Sequence, residues 1–395
     1  MNHVAPGPWL RVTALAASAG TLLAVVSGSA HLGATHRLLA ALVAPPLAAL
    51  VVSARLTHRP LVPAALAATA LFTAAAAVPG RAAHAVLAAL TLSALLVVTA
   101  QSLRGERVPW GSWRDYVTLT KPRIMSLLLV TGFCGMVAGA RGWPGTGTAL
   151  AAMLGLALAC GGASALNHVL DRDIDPLMGE RTKRRPVASG RVAPSRALEF
   201  GLALSAFSFV LLASTVNVLT AALALLGNLF YVLVYTRWLK RTTPQNIVIG
   251  GAAGAVPPLV GWAAATGDLT VPALLLFAIV FVWTPPHFWA LALLIKDNYK
   301  AAGVPMLPVV RGDRETARRI VAYSAALVAV TLLPFAWGSA GLLYLSCALA
   351  LGAVFMWLAE RLRRETTSRR AMLLFHYSLL YLALLFAALA LDPIV

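Results

Sequence analysis

Long apolar runs separated by short polar connectors dominate this chain, and many approach the roughly 20 residues that cross a bilayer as a helix. They predict membrane-spanning helices near 13–30, 37–54, 61–79, 84–102, 124–140, 147–168, 197–215, 218–236, 246–265, 271–294, 320–337, 340–358 and 372–391. In the first 165 residues, Leu103 to Arg123 is the only polar connector long enough to mark a domain boundary; it carries Arg104, Arg107, Pro109, Gly111 and Arg114. It separates four leading helices from nine that follow. The expected fold class is all-α: a polytopic membrane protein with a bundle of about nine helices over 106–395, preceded by a four-helix transmembrane bundle over 1–105. Within the nine, an acid-bearing loop follows the second helix and another follows the sixth. That spacing suggests an internal repeat whose two loops meet across one cavity.

Composition agrees with this pattern. Apolar residues form 59% of the chain and charged residues only 12%, too few polar groups to solvate a globule of 395 residues. The net charge of +18 raises the question of nucleic acid, but the basic residues fall in alternate loops, which is how orientation is set in membranes. With thirteen spans and a cytoplasmic N-terminus, only Arg37, Arg81 and Arg141 of the 32 Lys and Arg lie outside. No nucleic-acid partner is therefore expected, and the Asp171 and Asp297 loops share the cytoplasmic side. Cys134, Cys160 and Cys347 all fall in proposed spans, which argues against a disulfide framework or a Cys-based metal site. The first span lacks a small-residue cleavage site, so no cleavable signal peptide is expected.

The chemistry concentrates at one membrane edge. Read as helix, Asn167, Asp171 and Asp175 step by four and line one stripe. Two carboxylates and an amide oxygen offer hard ligands to Mg²⁺, which is commonly held by a few carboxylates plus substrate phosphates. Lys183, Arg184 and Arg185 follow at once and supply countercharge for phosphates. The second loop begins Lys296-Asp297-Asn298-Tyr299-Lys300, where Asp297 is placed to join the metal. Tyr235, Lys240 and Arg241 end another helix on the same face. Each piece alone has a plainer reading, as a solvated ion-paired loop or as ordinary Trp, Tyr, Lys and Arg anchoring at an interface. Together they suit ionisation of an allylic isoprenyl diphosphate: metal and cations stabilise the leaving diphosphate, and greasy walls protect the carbocation from water. No Ser/His/Asp or Cys/His arrangement is evident, and this chemistry requires none.

Seven segments carry a resemblance. They are Thr120-Lys-Pro-Arg123, Asn167-x-x-x-Asp171-x-x-x-Asp175, Arg184-Arg-Pro186, Tyr235-Thr with Lys240-Arg-x-Thr-Pro-Gln-Asn246, the Gly-rich run Gly250 to Gly261, Thr284-Pro-Pro-His287-Phe-Trp-Ala-Leu, and Pro305-Met-Leu-Pro308. Over roughly residues 114–392 the chain resembles the protoheme IX farnesyltransferase, or heme O synthase, branch of the membrane-embedded prenyltransferase superfamily. The resemblance implies farnesyl transfer from farnesyl diphosphate to the vinyl group of heme b, with water adding to give heme O, in the plasma (inner) membrane. It implies that Asn167, Asp171 and Asp175 bind Mg²⁺ and diphosphate, assisted by Lys183, Arg184, Arg185, Lys240 and Arg241. It makes Tyr235 and Tyr299 site residues, Asp297 the carrier of the second metal position, and His287 a contact to heme b. Many relatives have two acids before the tyrosine of the second loop, where this chain has Asp297-Asn298-Tyr299. A quinone-ring acceptor is the nearest rival reading. A secondary transporter would place its site near the midplane, where this chain has almost no ionisable groups.

Residues 1–105 lie outside that pattern. His36 and His84 each open an apolar helix, the second and the fourth, which run in the same direction. Both imidazoles should thus sit at one extracytoplasmic depth, a placement suited to two axial ligands on one heme. This segment is similar to one half of heme A synthase, which acts on heme O. The likeness implies a heme-binding module fused to its pathway neighbour, with heme A synthase as a further partner.

Overall fold

The computed structural model describes residues 8–29, 33–57, 61–77, 81–103 and 111–392. The centre of the expected boundary connector, 104–110, lies outside the described residues. Four helices lead: α1 (Pro8–Ser29), α2 (Gly33–Thr57), α3 (Val62–Ala77) and α4 (Arg81–Ser102). A short α5 (Trp113–Leu119) precedes α6 (Pro122–Ala140) and α7 (Thr146–Leu170), and a single turn, α8 (Glu180–Lys183), lies before α9 (Pro194–Thr215). Then α10 (Val218–Leu229) runs through a π-helical stretch (Phe230–Leu239) into α11 (Lys240–Thr242). The chain continues with α12 (Asn246–Thr266), α13 (Val271–Leu294), the short α14 (Lys296–Ala301), α15 (Leu307–Ala336), α16 (Leu342–Arg364) and α17 (Ser368–Leu391). Each expected span coincides with a helix. Among the described residues twelve helices are long and apolar enough to cross a membrane, and α3 is a shorter apolar helix of 16 residues. The chain is a multi-pass membrane protein.

The nine later spans form a closed ring, in which α17 packs back onto α6. Glycine sets how closely these helices approach. A Cβ added at Gly135 would meet the Pro258 carbonyl oxygen at 2.7 Å, and one at Gly261 would run into the Gly132 carbonyl oxygen. Here α6 and α12 touch backbone to backbone, the small-residue packing that lipid-embedded helices use where burial of oil against oil offers no driving force. Gly162 and Gly201 do the same for α7 and α9, where a Cβ on Gly162 would lie 2.9 Å from the Gly201 carbonyl oxygen. The helix that bears the acidic motif is thereby held rigidly against its neighbour.

The leading helices have their own cluster of buried side chains, including Leu10, Val43, Leu47, Leu50, Leu95 and Val98. They also lean on α9, where Val25, Ala89 and Leu92 pack with Ala206 and Val210. Two polar ties reinforce this seam: Ser93 Oγ donates to the Ala203 carbonyl at 3.0 Å, and Gln101 Nε2 donates to Glu199 at 3.3 Å. Large exposed side chains such as Leu226, Leu233, Leu349 and Trp357 face outward, as a lipid-bathed surface requires.

Candidate functional site

The acidic motif departs from a continuous helix. The α-helix stops at Leu170; Asp171 caps it, and Asp175 opens a 3-10 turn through Leu177. Amide bonds from Asp171 to the Asn167 carbonyl and from Asp175 to the Asp171 carbonyl, both 2.9 Å, still keep the three side chains on one side. Asn167 Nδ2 donates to Asp171 Oδ2 at 2.9 Å and to Thr236 Oγ1 at 3.1 Å. Lys240 Nζ donates to the same Asp171 oxygen at 2.6 Å, and Arg185 donates to Asp175 Oδ1 at 2.6 Å. Both carboxylates are almost fully buried, at 1% and 0% exposure. Burial pushes the Asp175 carboxyl upward, opposed by the Arg185 guanidinium.

One oxygen of each carboxylate makes no hydrogen bond, although Asp171 Oδ1 lies 3.9 Å from the Arg241 guanidinium. Asp171 Oδ1 and Asp175 Oδ2 are buried without a hydrogen-bond partner. A buried lone pair left without a hydrogen bond is costly, and a water, a bound ion or a catalytic role is what ordinarily accounts for one. Among the described residues no three His, Cys, Asp or Glu side chains gather to hold a metal by themselves. Two carboxylate oxygens and an amide are nevertheless the donor set that Mg²⁺ takes when substrate phosphates complete its shell. The residues present fit the ion.

Lys121 is the group that the residue patterns did not single out. It sits in the left-handed region at φ 50°, just before Pro122, and its Nζ donates to Asn167 Oδ1 at 2.7 Å. A residue before proline ordinarily stays extended, so this backbone is strained to aim the amine at the motif. Burial, with Arg185 and Lys240 nearby, holds its ammonium down to about 7. The Thr120-Lys-Pro-Arg123 string was the only signal available, and it reveals nothing about a left-handed turn.

The other expected site residues divide. Arg185 turns inward, whereas Lys183 and Arg184 are exposed; Lys183 lies 3.7 Å from Glu180, and the Arg184 carbonyl accepts a bond from Arg191. Arg241 is occupied by Asp173, through two bonds of 2.6 and 2.7 Å, and by the Leu170 carbonyl at 2.6 Å. That guanidinium holds the Asp173 carboxyl down to about 2 and staples α7 to α11. The ring of Tyr235 rests on Gly250, where any Cβ would collide with it, and stacks on Tyr231 at 5.5 Å between centroids. Tyr299 is 7% exposed, and burial pushes its phenol up to about 12.

The two acid-bearing loops do meet: a Cβ on Gly179, just past the first motif, would lie 3.1 Å from Asn298 Nδ2. Asp297 itself is exposed and makes no ion pair among the described residues, while its neighbour Lys296 binds Asp313 at 2.9 Å. His287 is buried deeper, stacked between Trp283 at 4.3 Å and Phe375 at 4.8 Å. Its Nδ1 bonds Ser378 Oγ at 2.7 Å, and Ser378 in turn donates to the Phe375 carbonyl at 2.7 Å. With that hydroxyl proton committed, Nδ1 is the donor and the Nε2 lone pair is left unengaged.

His36 and His84 also come together, at the end of the molecule opposite the acidic motif. Their ring centroids are 6.0 Å apart, with planes at 74°. His36 Nδ1 bonds the Ala24 carbonyl at 2.8 Å, and His84 Nδ1 bonds the Ala75 carbonyl at 2.6 Å.

The fold of the later helices is shared with solved structures. A digeranylgeranylglyceryl phosphate synthase superposes with a TM-score of 0.60 at 18% identity, covering 71% of this chain and 98% of that one. A UbiA homolog from Archaeoglobus fulgidus, solved with DMAPP and Mg²⁺, gives 0.54 at 18% identity, covering 70% and 99%. The chain belongs to the UbiA prenyltransferase family, whose family model matches residues 128–380. Among curated relatives it is 52% identical over 292 residues to a protoheme IX farnesyltransferase of Thermus thermophilus, covering 73% of this chain and 48% of that one. The chain thus spans about half the length of the Thermus relative. It is 53% identical over 281 residues to the protein of that name from Symbiobacterium thermophilum, covering 71% and 94%. For a Pseudomonas fluorescens protein of that name the identity is 51%, covering 73% and 97%.

Proposed function

We propose that this protein transfers a farnesyl group from farnesyl diphosphate to a vinyl group of heme b, giving heme O for heme A biosynthesis. The carrying observation is the pair of buried carboxylate oxygens that accept no hydrogen bond, Asp171 Oδ1 and Asp175 Oδ2, among the cations Lys121, Arg185, Lys240 and Arg241. The allylic carbon–oxygen bond breaks and the electron pair leaves with diphosphate. The vinyl terminal carbon then bonds the farnesyl carbon, water adds to the resulting cation, and one proton is released. Asn167, Asp171 and Asp175 would hold Mg²⁺, which when bound supplies positive charge to the departing diphosphate. Lys121, Lys240 and Arg185 take up the remaining charge in a site with little water, where each counts for more. The aromatic rings of Tyr231, Tyr235 and Tyr299 would exclude water from the prenyl chain and favour a nearby cation. Lys183, Arg184 and Arg241 act at the rim, and Asp297 serves a second metal position from the adjoining loop. His287 faces the heme b acceptor. The relatives near 52% identity, all bearing the same name, support this acceptor over a quinone ring.

The test is to give purified protein farnesyl diphosphate, Mg²⁺ and either heme b or 4-hydroxybenzoate. Heme O is the expected product, lost with EDTA and in Asp171→Asn. Prenylated 4-hydroxybenzoate without heme O would replace this reading with the quinone one.

The placement we favour is the cell inner membrane with the acidic loops cytoplasmic, supported by the distribution of Lys and Arg. We treat 1–105 and 106–395 as two domains, and the separate buried cluster of the leading helices supports that division. A second reading belongs to the first domain: His36 and His84 hold one heme between them. Two imidazoles sharing a metal through bonds of about 2 Å place their centroids about 6 Å apart, and the observed separation is 6.0 Å. Each Nδ1 is tied to a carbonyl, which leaves each Nε2 for iron. Heme A synthase, which would consume the product, is the partner this arrangement suits.

A further inference from the structure

Asn246 is fully buried, at 0% exposure, and neither its Nδ2 nor its Oδ1 has a hydrogen-bond partner. A buried carboxamide with both ends unsatisfied is rare and unfavourable. Capping does not explain it. Gln245 is the N-cap of α12, with no side-chain cap bond, and Asn246 is already the first helical residue.

Register shows where the carboxamide points. Gly135 lies against Pro258 and Gly139 against Trp262, so α6 and α12 run side by side in one direction. Followed back, that register sets Asn246 beside the start of α6, next to Lys121. Helical periodicity places Asn246 on one stripe with Gly250 and Pro257. Gly250 carries the ring of Tyr235, and the Pro257 carbonyl lies against Gly132. The Asn246 side chain is therefore directed between the π-helical stretch and α6, toward the interior where the Lys121 and Lys240 amines meet the acidic motif. It also stands at the N-terminus of a 21-residue helix, the end that favours an anion.

We infer that Asn246 is a hydrogen-bonding ligand of the diphosphate group. Its Nδ2 donates to a phosphate oxygen at the N-terminal end of α12. The inference rests on the reading of this rim as a diphosphate site and extends that site to a helix the acidic motifs do not reach.

The test uses the full chain in detergent, with Mg²⁺ and inorganic pyrophosphate as the probe and thermal melting as the readout. Asn246→Leu keeps the shape and removes the unsatisfied polar atoms. Its melting temperature without ligand should equal or exceed that of wild type, while its pyrophosphate-induced shift falls, with affinity weakened roughly tenfold or more, as loss of a hydrogen bond to a charged group requires. Asn246→Asp, of equal volume but like charge, should lose the shift as well, and it decides the matter if the leucine variant does not insert. A merely structural asparagine would give the reverse, a lower ligand-free melting temperature with the shift intact, and that result overturns the inference. Wild type showing no shift at all would remove the diphosphate reading beneath it.

Discussion

At the scale of single residues, the site sets carboxylates against amines with little water between them. Lys121 is the most exposed to this balance, because burial and two neighbouring cations bring its ammonium to about 7. Below that pH the amine is charged and can meet a diphosphate; above it the free protein loses one countercharge. The KM for farnesyl diphosphate should therefore rise as pH climbs past about 7, and kcat should change less, since bound diphosphate draws the proton back. Lys121→Arg, charged throughout this range, should flatten the rise. Steady-state profiles of both proteins check this, and a flat wild-type profile would dissociate Lys121 from substrate binding. Asp175→Asn should cost at least about a hundredfold in turnover, the upper end for disturbing a metal's surroundings, without loss of membrane insertion. A variant with near wild-type turnover would contradict the role given to Asp175 Oδ2. Asp171, Asp175, Arg185 and Lys240 were legible in the sequence because acid spacing and a basic cluster are chemistry written in order along the chain. Lys121 and Asn246 were not, because their roles depend on a left-handed turn and on an interhelical register that only the fold supplies. Lys183 and Arg184 were equally conspicuous in sequence, yet the turn at α8 leaves them exposed.

At the scale of helices, the spans were readable because a bilayer imposes one length and one composition on them. What joins them was less so. The run from Gly250 to Gly261 marks a family in sequence, and the structure gives three of its four glycines work to do: Gly250 seats the Tyr235 ring, Gly251 admits Thr284, and Gly261 lets α12 touch α6. The acidic motif, expected as one helix, breaks at Asp171, and that break turns the loop to meet Asn298. Gly261→Ala places a Cβ against the Gly132 carbonyl, a backbone atom that cannot swing aside. Overpacking of this kind typically costs about 1–3 kcal/mol, so the melting temperature should fall by several degrees. Gly254→Ala, on the same helix with open space around its Cβ, should be neutral or slightly stabilising. Equal melting temperatures for the two variants would show that the α6–α12 contact is looser than described.

At the scale of the whole molecule, the chain has two candidate centres at opposite ends of the membrane. The acidic rim lies where α7 ends and α9 begins, and α4 ends beside it, through Gln101 and Glu199. His84 lies near the start of α4, so the imidazole pair is one membrane thickness away. Groups this far apart and without shared partners should behave additively. Purified protein should show the low-spin spectrum of bis-histidine heme, lost in His36→Ala or His84→Ala and unchanged in Asp171→Asn. Conversely, His36→Ala should keep its Mg²⁺–pyrophosphate melting shift. Heme retained by both histidine variants would move the chromophore elsewhere, with His287 the next residue to change, since its Nε2 is also left unengaged. The separation gives that experiment its force: an acidic-rim variant that lost the bis-histidine spectrum would mean that the seam between α4 and α9 transmits structure from one end to the other. The Ser93 and Gln101 bonds across that seam would then be the contacts to remove next, with loss of the coupling as the expected result.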